Sequence, residues 1–243
     1  MVATLQRIVI LTGAGISAES GIPTFRASDG LWENEPVEKV ATPEGFQEDP
    51  SRVQEFYNAR RAHLQRPDIH PNAAHQSLAQ LAAAADIHLT LVTQNIDNLH
   101  ERAGSDPVLH MHGELLKVRC TKSGHIFARE TSLDSSELCP CCSLAGTLRP
   151  DIVWFGEMPM HMDEIYQALA EADLFVSIGT SGHVYPAAGF VQEAKHCGAK
   201  TLELNLEPSN NQHYFDDGRY GPASVIVPDW VNEILAESRV SKK

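Results

Sequence analysis

Apolar, β-branched runs recur along the chain at residues 8–12, 88–93, 174–178, 200–205 and 224–227, each ending abruptly in small or polar residues. Between them, amphipathic stretches at helical spacing predict helices over 71–85, 162–171, 185–196 and 229–237. Strands that alternate with helices predict an α/β fold, with a mostly parallel, Rossmann-like sheet covered on both faces. Ligands of such sheets bind beyond the carboxyl ends of the strands. The residues there are Gly13-Ala14-Gly15, Gln94-Asn95-Ile96-Asp97, Gly179-Thr180-Ser181 and Asn205-Leu206-Glu207.

Two segments break the alternation. Residues 27–70 carry a helix rich in arginine and aromatic residues, expected over 51–65 and bounded by Pro43, Pro50 and Pro67. Residues 114–150 are polar, short-stranded and cysteine-bearing. Both read as insertions that form a small second lobe, one helical and one ribbon-like. The large lobe then comprises 8–26, 71–113 and 151–235, all within a single domain over 1–243.

Composition narrows the classes. With 42% hydrophobic and 21% charged residues, the 243-residue chain reads as an ordinary soluble globular protein. A net charge of −13, with no basic-aromatic cluster in 114–150, argues against nucleic-acid binding. No apolar stretch approaches the roughly 20 residues needed to span a bilayer, and the first strand begins too early to leave room for a targeting peptide. A cytoplasmic protein without a membrane partner is expected, with a monomer favoured. Four of the five cysteines fall between 120 and 142, a clustering that suggests a metal rather than disulfides. Cys197 stands alone and reads as a small buried residue.

The candidate chemistry starts at the first loop. Gly13, Gly15 and Ala18 fit the dinucleotide fingerprint, in which small residues let backbone N–H groups at a helix start approach a pyrophosphate. Gly21 and Pro23 follow too soon for an ordinary Rossmann helix. The acidic ribose-binding residue expected about 20 residues on is missing, and its nearest counterpart is Glu207 at the end of a much later strand. Hydride transfer is therefore not the default inference. In His110-Met111-His112-Gly113-Glu114, His112 reads as a general base, with His110 a lesser candidate.

These motifs converge on a family. Gly13-Ala14-Gly15-Ile16-Ser17 with Gly21-Ile22-Pro23-Thr24-Phe25-Arg26 resembles the leading motif of the sirtuins, the NAD-dependent protein deacylases. Thr93-Gln94-Asn95-Ile96-Asp97, His112-Gly113, Arg149-Pro150, Val153-Trp154-Phe155-Gly156-Glu157, Gly179-Thr180-Ser181 and Asn205-Leu206-Glu207 continue it in order. The resemblance implies that the acyl oxygen of a modified lysine attacks C1′ of the nicotinamide ribose and displaces nicotinamide. His112 then deprotonates a ribose hydroxyl, and free lysine and O-acyl-ADP-ribose are released.

By the same resemblance, Asn95 and Asp97 join His112 in catalysis, with Asn95 orienting the ribose or a water. Ile96 and Asp97 grip the nicotinamide carboxamide, Phe25 shields the reacting centre and Arg26 steadies the phosphates. The remaining NAD contacts implied are Gly13, Ala14, Gly15, Ser17, Glu19, Pro23, Thr24, Trp32, Gln94, Gly179, Thr180, Ser181, Asn205, Leu206, Glu207 and Ala223. An acylated peptide would lie between the lobes as an added strand against Gly156, Glu157 and Val184.

Tyr57 and Arg60 stand three apart on a predicted helix and so share a face, where they offer a hydroxyl and a guanidinium fork. The pair is similar to that of class III sirtuins, which remove succinyl and malonyl as well as acetyl groups, and the small Ala41 would leave space. The family's structural zinc implies two cysteine pairs. Here Cys120 is followed by serine at 123, and the second group reads Cys139-Pro140-Cys141-Cys142. Cys120, Cys139 and Cys142 are the implied ligands, and the fourth is open among Cys141, His125 and water. Two other readings remain: a mono-ADP-ribosyltransferase using the same cleft, and a non-catalytic NAD-sensing module.

Overall fold

A computed structural model of the protein describes residues 6–24 and 31–240. The strands are β1 (Gln6–Thr12), β2 (Leu31–Trp32), β3 (Glu35–Pro36), β4 (Ile87–Thr93), β5 (Val108–His110), β6 (Gly113–Cys120), β7 (Ile126–Ala128), β8 (Leu148–Ile152), β9 (Leu174–Ile178), β10 (Lys200–Asn205) and β11 (Asp217–Tyr220). The α-helices are α1 (Val37–Val40), α2 (Pro43–Glu48), α3 (Pro50–Leu64), α4 (Ala73–Ala82), α5 (Leu99–Arg102), α6 (Met162–Glu171), α7 (Phe190–His196) and α8 (Ala223–Val240).

Six strands form one parallel sheet in the order β11-β10-β9-β1-β4-β5. Side chains alternate across β1, so Ile8 and Ile10 face Leu78 and Leu81 of α4 and Trp230 of α8. Val9 and Leu11 face the opposite way, onto Ile165 and Leu169 of α6 and Phe190 and Val191 of α7. Two-sided burial explains why these strands read as continuous apolar runs. A third core joins Val53, Phe56, Tyr57 and Leu64 of α3 to Leu115 of β6 and to Ile152 and Trp154. A fourth, smaller core gathers Val118, Cys120, Leu133, Cys139 and Leu148 around the antiparallel sheet β7-β6-β8.

The structure departs from the sequence reading in four places. Residues 224–227, expected as a strand, open α8 instead. There Val227 is buried on the sheet face, and the backbone N–H and hydroxyl of Ser224 donate to the Glu19 carboxylate at 2.9 and 2.7 Å, so tertiary contacts override β propensity. The edge place in the sheet goes to β11, whose Asp217-Gly218-Arg219-Tyr220 carries no apolar run. The segment after Gly13 is a 3₁₀ helix (Ala14–Ser20), closed by Gly21 at φ 88°, rather than the start of an α-helix. Cys197 is exposed at the end of α7.

Candidate active site

The carboxyl ends of the parallel strands are tied in register. Gly13 N–H donates to the Ile178 carbonyl, Gln94 N–H to Thr12, Met111 N–H to Thr93 and Gly179 N–H to Leu204, all at 2.9–3.0 Å. Loops carrying the expected motifs therefore leave the sheet side by side. Gly15 N–H donates to the Gly179 carbonyl at 2.9 Å, and a Cβ on Gly15 would lie 2.7 Å from Gly179 Cα, so this crossing requires glycine. Gly179, at φ 63°, takes a left-handed conformation in the same crossing.

These loops line a cleft of about 1240 Å³, whose opposite wall comes from α3 and from residues 152–157 and 183–184. Every NAD-contacting and substrate-contacting residue expected from sequence and described in the structure lines it except Ser17, as does the expected base His112, whereas His110 and the expected zinc ligands do not. Ser17 is fully buried beneath the floor. Phe25 and Arg26 lie outside the described residues. Glu19 lines the cleft while its carboxylate caps α8. The Asn205 amide donates to the Thr180 carbonyl at 2.7 Å and so shapes the rim. The Glu157 carboxylate is occupied by Arg149 at 2.7 and 2.9 Å and by Trp154 N–H, and its own N–H donates to the Trp154 carbonyl at 3.0 Å.

The floor is a closed polar network. Ser17 Oγ donates to Asp97 Oδ2 at 3.0 Å and accepts from Asn95 Nδ2 at 3.2 Å, and Asn95 Nδ2 also reaches the Gly13 carbonyl. His75 Nε2 lies 3.4 Å from Ser17 Oγ. Its Nδ1 is within reach of both the Asn72 N–H at 3.4 Å and the Asn72 Oδ1 at 3.2 Å, contacts that suit either tautomer. Burial pushes the Asp97 carboxyl up and pushes His75 down to about 4, so His75 is neutral. His75 carried no signal beyond helical periodicity, and sequence reasoning missed it.

The two histidines after β4 differ in kind. His112 Nδ1 faces the Gln94 carbonyl at 3.1 Å, which fixes the proton on Nδ1 and leaves Nε2 as an acceptor at the cleft. Burial holds its pKa below the ordinary histidine value, against the opposing pull of that carbonyl. A neutral imidazole with an open Nε2 is fit to take a proton. His110 is held at both nitrogens, by the Asn95 carbonyl at 3.1 Å and by Glu101 at 2.7 Å. Although burial opposes protonation, the Glu101 contact raises its pKa, and with both nitrogens held by acceptors His110 has no free ring nitrogen to take a proton from a ligand.

On the opposite wall Tyr57 is fully buried, and its hydroxyl accepts from Trp154 Nε1 at 3.0 Å. Arg60 donates to the Phe56 carbonyl at 2.7 Å, and its guanidinium carbon lies 3.2 Å from the centre of the Phe56 ring. Burial lowers its pKa to about 10, so it remains charged at neutral pH. Its Nε is buried with no partner among the described residues. The role of Trp154 was not anticipated from sequence.

The cysteines form a separate cluster. The Sγ atoms of Cys120, Cys139, Cys141 and Cys142 lie within 4.8 Å of one another, with Cys120–Cys142 at 3.8 Å and Cys139–Cys141 at 3.3 Å. A tetrahedral zinc with Zn–S of about 2.3 Å needs sulfurs about 3.8 Å apart, so four thiolates fit a closed structural site. Cys141, left open as fourth ligand, completes the set. Its sulfur is 3.1 Å from Ser123 Oγ, the position where a second cysteine of the first pair would stand.

Comparison with known proteins agrees with this geometry. Residues 13–186 match the model of the Sir2 family. An NAD-dependent protein deacylase of Yersinia pseudotuberculosis is 65% identical over 228 residues, covering 94% of this chain and 82% of that protein. A solved Sir2 homologue–NAD complex superposes with a TM-score of 0.84 at 38% identity, covering 95% of this chain and 90% of the other. Sir2Af2 bound to a myristoylated histone peptide superposes at 0.75 with 30% identity, covering 99% and 95% of the two chains. A family model that matches more than half of the chain, together with relatives that span nearly the whole of it, shows that the chain belongs to the Sir2 family.

Proposed function

We propose that this protein is an NAD-dependent protein-lysine deacylase that removes acetyl, succinyl and malonyl groups, consuming one NAD and one water and releasing free lysine, nicotinamide and O-acyl-ADP-ribose. The observation that carries the reading is His112: a buried neutral imidazole whose Nδ1 is committed to the Gln94 carbonyl and whose Nε2 faces the cleft. Bound NAD supplies a labile bond from ribose C1′ to nicotinamide and the neighbouring ribose hydroxyls. His112 Nε2 is the acceptor for a hydroxyl proton once the acyl oxygen has reached C1′. Asn95 and Asp97, fixed through Ser17, present their backbone and remaining polar edges to the nicotinamide side.

The acyl chain enters from the α3 wall, where Tyr57 and Arg60 offer a hydroxyl and a cation above Ala41. Zinc contributes no step: four thiolates would pin β6 to the loop before β8 and hold the small lobe against the cleft. The peptide backbone lies between residues 156–157 and Val184, whose exposed neighbours Phe155 and Tyr185 give it an apolar border. Two peptides identical except for acetyl- or succinyl-lysine, incubated with enzyme and NAD and followed by mass, test the reading. Loss of both acyl groups only when NAD is present supports it. Acetyl loss without succinyl loss removes the acidic-acyl part, and loss of neither removes the whole.

A further inference from the structure

The Tyr57 hydroxyl is buried and has one proton and one observed partner, the Trp154 Nε1–H at 3.0 Å. Indole N–H can only donate, so Tyr57 must accept from it, and the phenolic proton has to point elsewhere. Among the described residues no acceptor receives it, and Tyr57 borders the cleft. Arg60 Nε is a second buried N–H with no partner among the described residues, one turn further along the same helix. Two unpaired donors on one wall are costly in an empty pocket and suit a carboxylate with two oxygens.

The indole itself is locked in place. The Arg149 guanidinium carbon sits 3.4 Å from the centre of the Trp154 ring, and Phe46 packs at 5.3 Å. Arg149 is in turn gripped by both oxygens of Glu157, one of which also accepts from Trp154 N–H. Glu157, Arg149 and Trp154 therefore form a rigid brace behind Tyr57. A phenylalanine at 154 could fill much of the same space but could not direct the hydroxyl.

We infer that Trp154 is a positioning residue for acyl selectivity: its indole N–H occupies the acceptor side of the Tyr57 hydroxyl and turns the phenolic proton toward an acidic acyl group. Trp154 touches neither reacting atom, and the inference rests on the proposed acidic-acyl activity. The test compares wild type, Trp154→Phe, Tyr57→Phe and the double variant, measuring kcat and KM separately for matched succinyl- and acetyl-lysine peptides with NAD saturating. The expected result is a fall of about five- to tenfold in the succinyl-to-acetyl ratio of kcat/KM for Trp154→Phe, carried by the succinyl KM.

In the Tyr57→Phe background, the same change at 154 should move the ratio less than about twofold, because its route is already cut. Benzothienylalanine at position 154 keeps the ring shape and removes only the N–H, so it should reproduce the fall without loss of thermal stability. An unchanged ratio with this analogue, or effects at 57 and 154 that multiply, overturns the inference while leaving the deacylase reading intact. A wild-type enzyme that leaves succinyl-lysine untouched overturns the acidic-acyl reading, and the inference with it.

Discussion

The two walls of the cleft are built on opposite terms. On the nucleotide side the floor is satisfied from within, where Ser17, Asn95, Asp97 and His75 consume one another's hydrogen bonds and glycines bring backbone against backbone. On the acyl side Tyr57 and Arg60 keep donors in reserve. A closed network fixes geometry for a ligand that is always the same. An open one leaves polar capacity for a group whose identity is being read. Reaction type is therefore written into the first wall and acyl choice into the second, and damage to each should have a different signature.

The largest effect belongs to the first wall. His112→Ala removes the buried imidazole whose Nε2 faces the cleft, and kcat should fall by about 10³ for acetyl and succinyl peptides alike. A substrate-dependent loss would place His112 in acyl reading instead. Arg60→Met should cost about 10² in kcat/KM for succinyl-lysine through a lost charge-assisted contact, and far less for acetyl-lysine. Equal losses for both peptides would erase the proposed division of labour.

Removing zinc with a strong chelator should lower the thermal midpoint by several degrees, consistent with loss of a few kcal/mol. A metal assay on chelator-free protein should find about one zinc per chain. Val184→Pro should weaken peptide binding several-fold and leave NAD affinity unchanged, as expected if the peptide pairs through its backbone. The smallest effect is in pH. The active form of His112 is neutral and burial lowers its pKa, so kcat/KM should stay flat from pH 8 down to the ordinary histidine value and decline only in more acidic buffer. A decline that starts above pH 7 would mean the base is another group.

The difference between the walls also explains what could be read from the chain. Loop motifs at 13–15, 94–97 and 179–181 sit at strand ends and are contiguous, so local sequence exposes them. The Trp154–Tyr57 contact joins residues 97 apart and leaves no periodic trace. Cys141 was one of several options because Cys-Pro-Cys-Cys offers three thiols in four positions, and only the fold of the knuckle shows which sulfurs converge. The strand expected at 224–227 was misread for the same reason: the Glu19 carboxylate that caps α8 lies 205 residues away. Polar β11 gave no apolar signal because it is a short strand at the edge of the sheet.

The most direct test of the central claim follows the fate of the acyl group. With wild-type enzyme, NAD and a succinyl-lysine peptide, mass spectrometry should find equal amounts of free-lysine peptide, nicotinamide and O-succinyl-ADP-ribose, and with His112→Ala the free-lysine peptide and O-succinyl-ADP-ribose should form about 10³-fold more slowly. Succinate appearing at the same rate when NAD is omitted would contradict the account.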